Sequence, residues 1–149
     1  MKSILSVLTS LIVLASMPLE AGEVEVEHYS ANPEMQLPFS DAVKVGHMLY
    51  LSGKIGNIPG TPKLAEGGIA GETRQTLENI KASLEKYGSS LDEVVNCTVF
   101  LADIAVWSAM NEVYVTYFPV NPPARSALCS SGLALGARVE IECLAAMRD

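Results

Sequence analysis

The run Val94-Val95-Asn96-Cys97-Thr98-Val99-Phe100-Leu101 is rich in β-branched and apolar residues, and as an extended chain it is apolar on both faces. A strand of that kind must be covered on both sides, so it belongs in the interior of a sheet. Helical patterns flank it. Leu77, Ile80, Leu84 and Tyr87 recur at three- and four-residue spacing and stop at Gly88, which predicts an amphipathic helix over 72–87. Trp107, Met110, Tyr114 and Tyr117 fall on one stripe of a second predicted helix over 104–118. That stripe reads as a packing face rather than as a box for stacking a ligand.

The remaining strands follow from alternation. Glu23–Tyr29 alternates acidic and apolar residues as an edge strand does, and 31–38 is a polar loop. Ala42–Val45 and Met48–Ser52 flank Gly46-His47 and predict a hairpin. Gly53–Gly71 is a long loop rich in Gly and Pro, of the kind that often carries function. Pro123 keeps the chain extended into a strand that sends Arg125, Ala127 and Cys129 to one face and Ser126 and Leu128 to the other. In the last strand Val139, Ile141 and Cys143 share one face, and Glu140, Glu142, Leu144 and Ala146 the other. The order β-β-β-α-β-α-β-β predicts an α+β domain, a mixed six-stranded sheet with two helices on one face. The uncovered face then calls for another subunit.

A chain of 149 residues with this hydrophobic content is sized for one domain with its own core. Its formal charge of −7, with no offsetting Lys/Arg cluster, argues against nucleic acid or acidic membrane as partner. The glycines at 53, 56, 60, 67, 68 and 71 form no phosphate-cradling pattern. Three cysteines, an odd number without metal spacing, exclude a full disulfide framework and give no metal site. Cys97 and Cys143 read as small buried hydrophobes. Cys129 reads as core filler or, since it shares a face with Arg125, as pocket lining. His28 and His47 have no partner cluster and read as surface residues.

Residues 1–21 differ from the rest: Lys2 precedes an almost wholly apolar or hydroxylated stretch from Ile4 to Met17, followed by Pro18-Leu19-Glu20-Ala21. The pattern is that of a signal peptide, too short to span a bilayer comfortably and lacking an Ala-x-Ala box because of Leu19. It predicts cleavage after Ala21, a mature domain over 22–149, and a periplasmic or secreted protein without stable membrane association. A retained N-terminal anchor and a cytoplasmic protein are the alternatives.

Arg125 and Glu140 carry the chemistry, on what read as neighbouring strands. Arginine presents a planar, permanently charged fork that matches a carboxylate at two points. A half-buried glutamate can take a proton from water. The pair suits a small acid attacked by water, and Glu142, roughly 7 Å from Glu140 along the strand, offers a second carboxylate. The competing reading is a structural Arg125–Glu140 salt bridge on an outward sheet face.

From Phe39 to the C-terminus the chain resembles the RidA/YjgF/YER057c/UK family of imine and enamine deaminases. The resemblance is carried by Leu51-Ser52-Gly53-Lys54-Ile55, by Glu72-Thr73-Arg74-Gln75-Thr76-Leu77-Glu78-Asn79-Ile80 and by Thr98-Val99-Phe100-Leu101-Ala102-Asp103. Met110-Asn111-Glu112-Val113-Tyr114, Pro123-Ala124-Arg125-Ser126 and Val139-Glu140-Ile141-Glu142 complete it, in order. It implies a chorismate-mutase-like fold, a homotrimer with a site in each cleft between subunits, and hydrolysis of 2-imino acids such as 2-iminobutanoate and 2-iminopropanoate to 2-keto acids and ammonia, with no cofactor. It places Arg125 on the carboxylate-binding arginine and Glu140 on the water-handling glutamate. Ser52, Gly53 and Asn111 fall on pocket-lining positions. Phe39 stands where many relatives have Tyr, and Ala127 where they often have Cys. The alternative within the same fold is a non-catalytic, small-molecule-binding or chaperone-like trimer.

Overall fold

A computed structural model describes residues 22–31, 34 and 37–148, so the leader expected over 1–21 lies outside the described residues. Seven strands are present among them: β1 (Val26–Tyr29), β2 (Ala42–Val45), β3 (Met48–Leu51), β4 (Lys54–Ile55), β5 (Val94–Leu101), β6 (Ala124–Cys129) and β7 (Val139–Ala146). The helices are α1 (Gly68–Lys86) and α2 (Trp107–Tyr114). The hairpin forms as expected, with Gly46 at φ 55 in its turn. No described helix is long and apolar enough to cross a membrane.

The sheet runs β1-β2-β3-β7-β5-β6, with β4 also paired to β7. All pairings are antiparallel except β5 with β6, where Cys97 aligns with Arg125. That exception follows from α2: a helix between two adjacent strands returns the chain in the same direction. β5 is therefore interior, as its two-sided apolarity requires.

Both helices pack on one face. Leu77, Ile80 and Leu84 of α1 and Met110 of α2 are fully buried against Val99, Leu101, Val139 and Ile141 of the sheet. Truncating one of the helix leucines to alanine would cost about 2–5 kcal/mol. α1 ends where the pattern said: Gly88 takes φ 85, and Ser89 N–H donates to the Leu84 carbonyl at 2.9 Å. α2 is shorter than 104–118, because Ile104–Val106 is a 3-10 turn whose Ala105 N–H is capped by the Asp103 carboxylate at 2.9 Å.

Among the described residues the other sheet face carries no helix. Tyr50 and Leu128 remain 43% and 42% exposed there, beside half-buried Phe100 and Leu144. Two expectations are corrected. The sheet has seven strands rather than six, because β4 is two residues long and alternation over two residues carries no signal. Cys97 and Cys143 are buried as expected, but they are joined in a disulfide, being directly opposed on β5 and β7 with Cα atoms 4.2 Å apart.

Candidate functional site

Arg125 projects from β6 onto the helix side of the sheet, where α2 receives it. Its Nη1 donates to Asn111 Oδ1 at 2.9 Å. The guanidinium carbon lies 4.5 Å from the centre of the Tyr114 ring and 5.8 Å from that of Trp107. Asn111 and Tyr114, three apart on α2, share a helix face, and Trp107 begins the same face one turn earlier. Arg125 is thus held by aromatic faces and one amide, none of which consumes its charge. A cavity of about 260 Å³ opens beside it, walled by Tyr114, Val115, Phe118 and Pro122 with Asn111 at its edge. Burial pushes the Tyr114 phenol up to about 12, against the opposing pull of the Arg125 charge. Its hydroxyl is buried and has no hydrogen-bond partner among the described residues.

Glu140 projects to the opposite face. It aligns with Ile55 of β4 and Phe100 of β5, and it is half-buried. Its carboxylate lies against Gly53: a Cβ there would stand 2.1 Å from Glu140 Oε1, so no other residue fits without displacing it. Ser52, the next residue back, donates from Oγ to the Ser40 carbonyl at 2.6 Å, which ties the segment following β3 to the one preceding β2. Phe39, one residue earlier, is 59% exposed.

Arg125 and Glu140 are therefore not on neighbouring strands. β5 separates β6 from β7, and the alternation sends the two side chains to opposite sides of the sheet. The intrachain salt bridge is excluded with them. The structure brings Arg125 to Asn111 on one face and Glu140 to Gly53 on the other. Ala127 is half-buried on the Arg125 side; Cys129 is exposed rather than core filler, and its thiol faces the Ser130 carbonyl. His28 and His47 are both exposed, as expected. Glu142 aligns with Thr98 on the Glu140 face.

Sequence reasoning missed the platform under Arg125. The stripe holding Trp107 and Tyr114 reads as packing from its spacing alone, and its role under Arg125 depends on where β6 lies against α2. No group of His, Cys, Asp or Glu among the described residues could hold a metal ion. A second cavity of about 310 Å³ lies between α1 and the segment after β4, but its acid is satisfied: Asp41 pairs with Lys54 and accepts from the Tyr87 hydroxyl at 2.8 Å.

These features define a small α+β domain with a cation on one face of its sheet and a carboxylate on the other. The chain matches the family described as Endoribonuclease L-PSP over residues 29–147, and it belongs to that family, the RidA/YjgF family. It is 43% identical over 108 residues to the 2-iminobutanoate/2-iminopropanoate deaminase of Homo sapiens, covering 72% of this chain and 79% of that protein. It is 37% identical over 135 residues to the chloroplastic Reactive Intermediate Deaminase A of Arabidopsis thaliana, covering 89% and 72% respectively. The crystal structure of YEO7 from yeast superposes with a TM-score of 0.77 at 40% identity, covering 83% of this chain and all of that one.

Proposed function

We propose that the protein is a homotrimeric deaminase that hydrolyses small 2-imino acids, or their enamine tautomers, to 2-keto acids and ammonia. The observation that carries this reading is the division of Arg125 and Glu140 between two faces. One subunit brings the fork that clamps a carboxylate, and a neighbour brings the carboxylate that handles water, so each site is completed between copies. Relatives named as imine deaminases and reactive intermediate deaminases at about 40% identity support the chemistry. The exposed or half-buried Tyr50, Phe100, Leu128 and Leu144 on the sheet face that carries no helix among the described residues support the assembly. A charge of −7 weighs against a polyanionic substrate.

In this reading the substrate carboxylate takes the two outer guanidinium nitrogens of Arg125, while Asn111 and the Tyr114 ring hold the fork in plane. The C=N carbon of the protonated imine is already electrophilic, so positioned water and one proton acceptor suffice. Water adds to the carbon and its proton passes to Glu140, giving a carbinolamine. Glu140 returns that proton to nitrogen, and as the C–N bond breaks it takes the carbinolamine hydroxyl proton and passes it to the departing ammonia, leaving the keto acid and ammonium with Glu140 again ionised. Phe39 offers the cleft a ring without a hydroxyl donor. The mature protein acts outside the cytoplasm in this proposal; the pattern of residues 1–21 and the Cys97–Cys143 disulfide support that address.

The test is turnover of freshly generated imine together with light scattering on the mature chain. Arg125→Ala should lower kcat/KM by at least about a hundredfold, and Arg125→Lys should recover only part of it. Glu140→Gln should lower kcat while 2-keto acid binding survives. Near-wild-type turnover in Arg125→Ala, or a monomeric mass at micromolar concentration, would sink the site described. Keto-acid binding with no turnover in the wild type would favour the binding-protein reading.

A further inference from the structure

We propose that Glu72 is a positioning residue that fixes where the Glu140 carboxylate stands; the catalytic part of this inference rests on the deaminase reading. Glu72 lies on α1 and is fully buried. Its Oε2 accepts from the main-chain N–H of Arg138 at 2.7 Å, and its Oε1 accepts from Arg138 Nη1. Arg138 is the residue immediately before β7, and its carbonyl accepts from Ala102 N–H at 3.0 Å. Both main-chain polar groups at the entrance to β7 are therefore tied, one to the end of β5 and the other to a helix. Glu140 is two residues on.

A second contact joins the same two places. β4 pairs Ile55 with Glu140, and the following residue, Gly56, meets α1 at Glu72: a Cβ on Gly56 would stand 2.6 Å from the Glu72 carbonyl oxygen. So both strands beside Glu140, β4 and the start of β7, rest on one residue of α1. A buried carboxylate with both oxygens committed to one partner holds that partner firmly, because either group left alone would be desolvated and unpaired. The Arg138 side chain is 55% exposed, so the main-chain bond is the part that water cannot replace. The segment leading into β7 is bonded over short spans, Gly136 N–H to the Leu133 carbonyl and Ala137 N–H to the Ala134 carbonyl, and it draws its tie to α1 from Glu72.

The experiment compares Glu72→Leu, Glu72→Gln and Arg138→Ala in the full mature protein. Readouts are kcat and KM for imine turnover, binding of 2-oxobutanoate, and the carboxyl ¹³C resonance of Glu140, assigned by its loss in Glu140→Gln. Glu72→Leu should lower kcat per folded protein at least about tenfold, since small displacements of a reacting group are costly. Keto-acid binding should stay within about twofold, because Arg125 is held by α2 and β6. Glu72→Gln, whose amide oxygen can still accept from Arg138 N–H, and Arg138→Ala should each stay within about threefold of wild type. The Glu140 resonance should move in Glu72→Leu and hardly at all in Arg138→Ala. If Glu72→Leu does not fold, Glu72→Asp replaces it, keeping the charge while falling short of Arg138, with about a fivefold loss of kcat and the same resonance movement expected. A wild type without imine turnover would refute the deaminase reading, and the resonance alone would then decide the positioning. An unmoved Glu140 resonance in the folded variant, a loss of thermal stability with kcat unchanged, or an equal movement in Arg138→Ala overturns the proposal.

Discussion

Reducing the Cys97–Cys143 bond should remove a large share of this domain's stability. The two residues are 46 apart in sequence, so the cross-link closes a long loop of the unfolded chain. In the chain-entropy description a loop of that length is worth about 4 kcal/mol, a substantial part of the roughly 5–15 kcal/mol that holds a typical domain together. For a domain of this size that corresponds to a drop in melting temperature of about 12–20 °C. The clean comparison is wild type against itself, oxidised and reduced, because both sulfurs stay in the core and no cavity is created. Thiol counting in denaturant should first give one reactive thiol, Cys129, in the oxidised protein and three after reduction. Urea titrations with and without reductant then give the difference, and reduction should be slow under native conditions because both cysteines are fully buried. A shift below about 3 °C between verified oxidised and reduced forms would refute the reasoning. So would three free thiols in protein recovered from an oxidising compartment.

Two further outcomes follow from contacts already described. Gly53→Ala puts a methyl where Glu140 Oε1 now lies, so kcat should fall at least about tenfold while the α2 side of the site keeps its affinity for a keto acid; isothermal titration beside kinetics checks both. Tyr114 has a folded pKa of about 12, above the ordinary phenol value of 10, so the native state keeps its proton where the unfolded state loses it. Its contribution is complete below about pH 10 and is lost as pH rises toward 12, by at most about 1.4 kcal/mol per pH unit. Tyr114→Phe, which deletes a hydroxyl without a partner among the described residues, should be neutral or stabilising at pH 8 and should flatten the alkaline decline in urea titrations; an unchanged decline would assign it elsewhere.

Much of this architecture was legible because alternation is a local property. The faces of β6 and β7 follow residue by residue from the pleat, and the burial of Val139, Ile141 and Cys143 agrees with them. What alternation does not carry is which strand lies beside which. β6 and β7 are consecutive in sequence, yet β5 lies between them, because α2 returns the chain parallel to β5 and leaves the other flank of β5 for β7. The disulfide hid for the same reason: each cysteine's face could be read, but their opposition depends on the β5–β7 register. Family resemblance supplied Asn111, whereas Tyr114 and Glu72 matter through contacts with Arg125 and Arg138 that no spacing along the chain encodes.

The short strand β4 sits between two bare positions, Gly53 on one side and Gly56 on the other. Gly53 makes room for the Glu140 carboxylate on the open face, and Gly56 makes room for the α1 backbone on the covered face. They are three positions apart, and an odd step along an extended chain reverses the direction in which a residue points. The interval itself is therefore a constraint. Inserting or deleting one residue between 53 and 56 would turn one glycine toward empty space and bring a side chain against either a carboxylate or a helix. Changes of length should be eliminated between 53 and 56 and better tolerated in the mostly exposed turn at 59–62, which lies inside the pairing of Ile58 with Lys63.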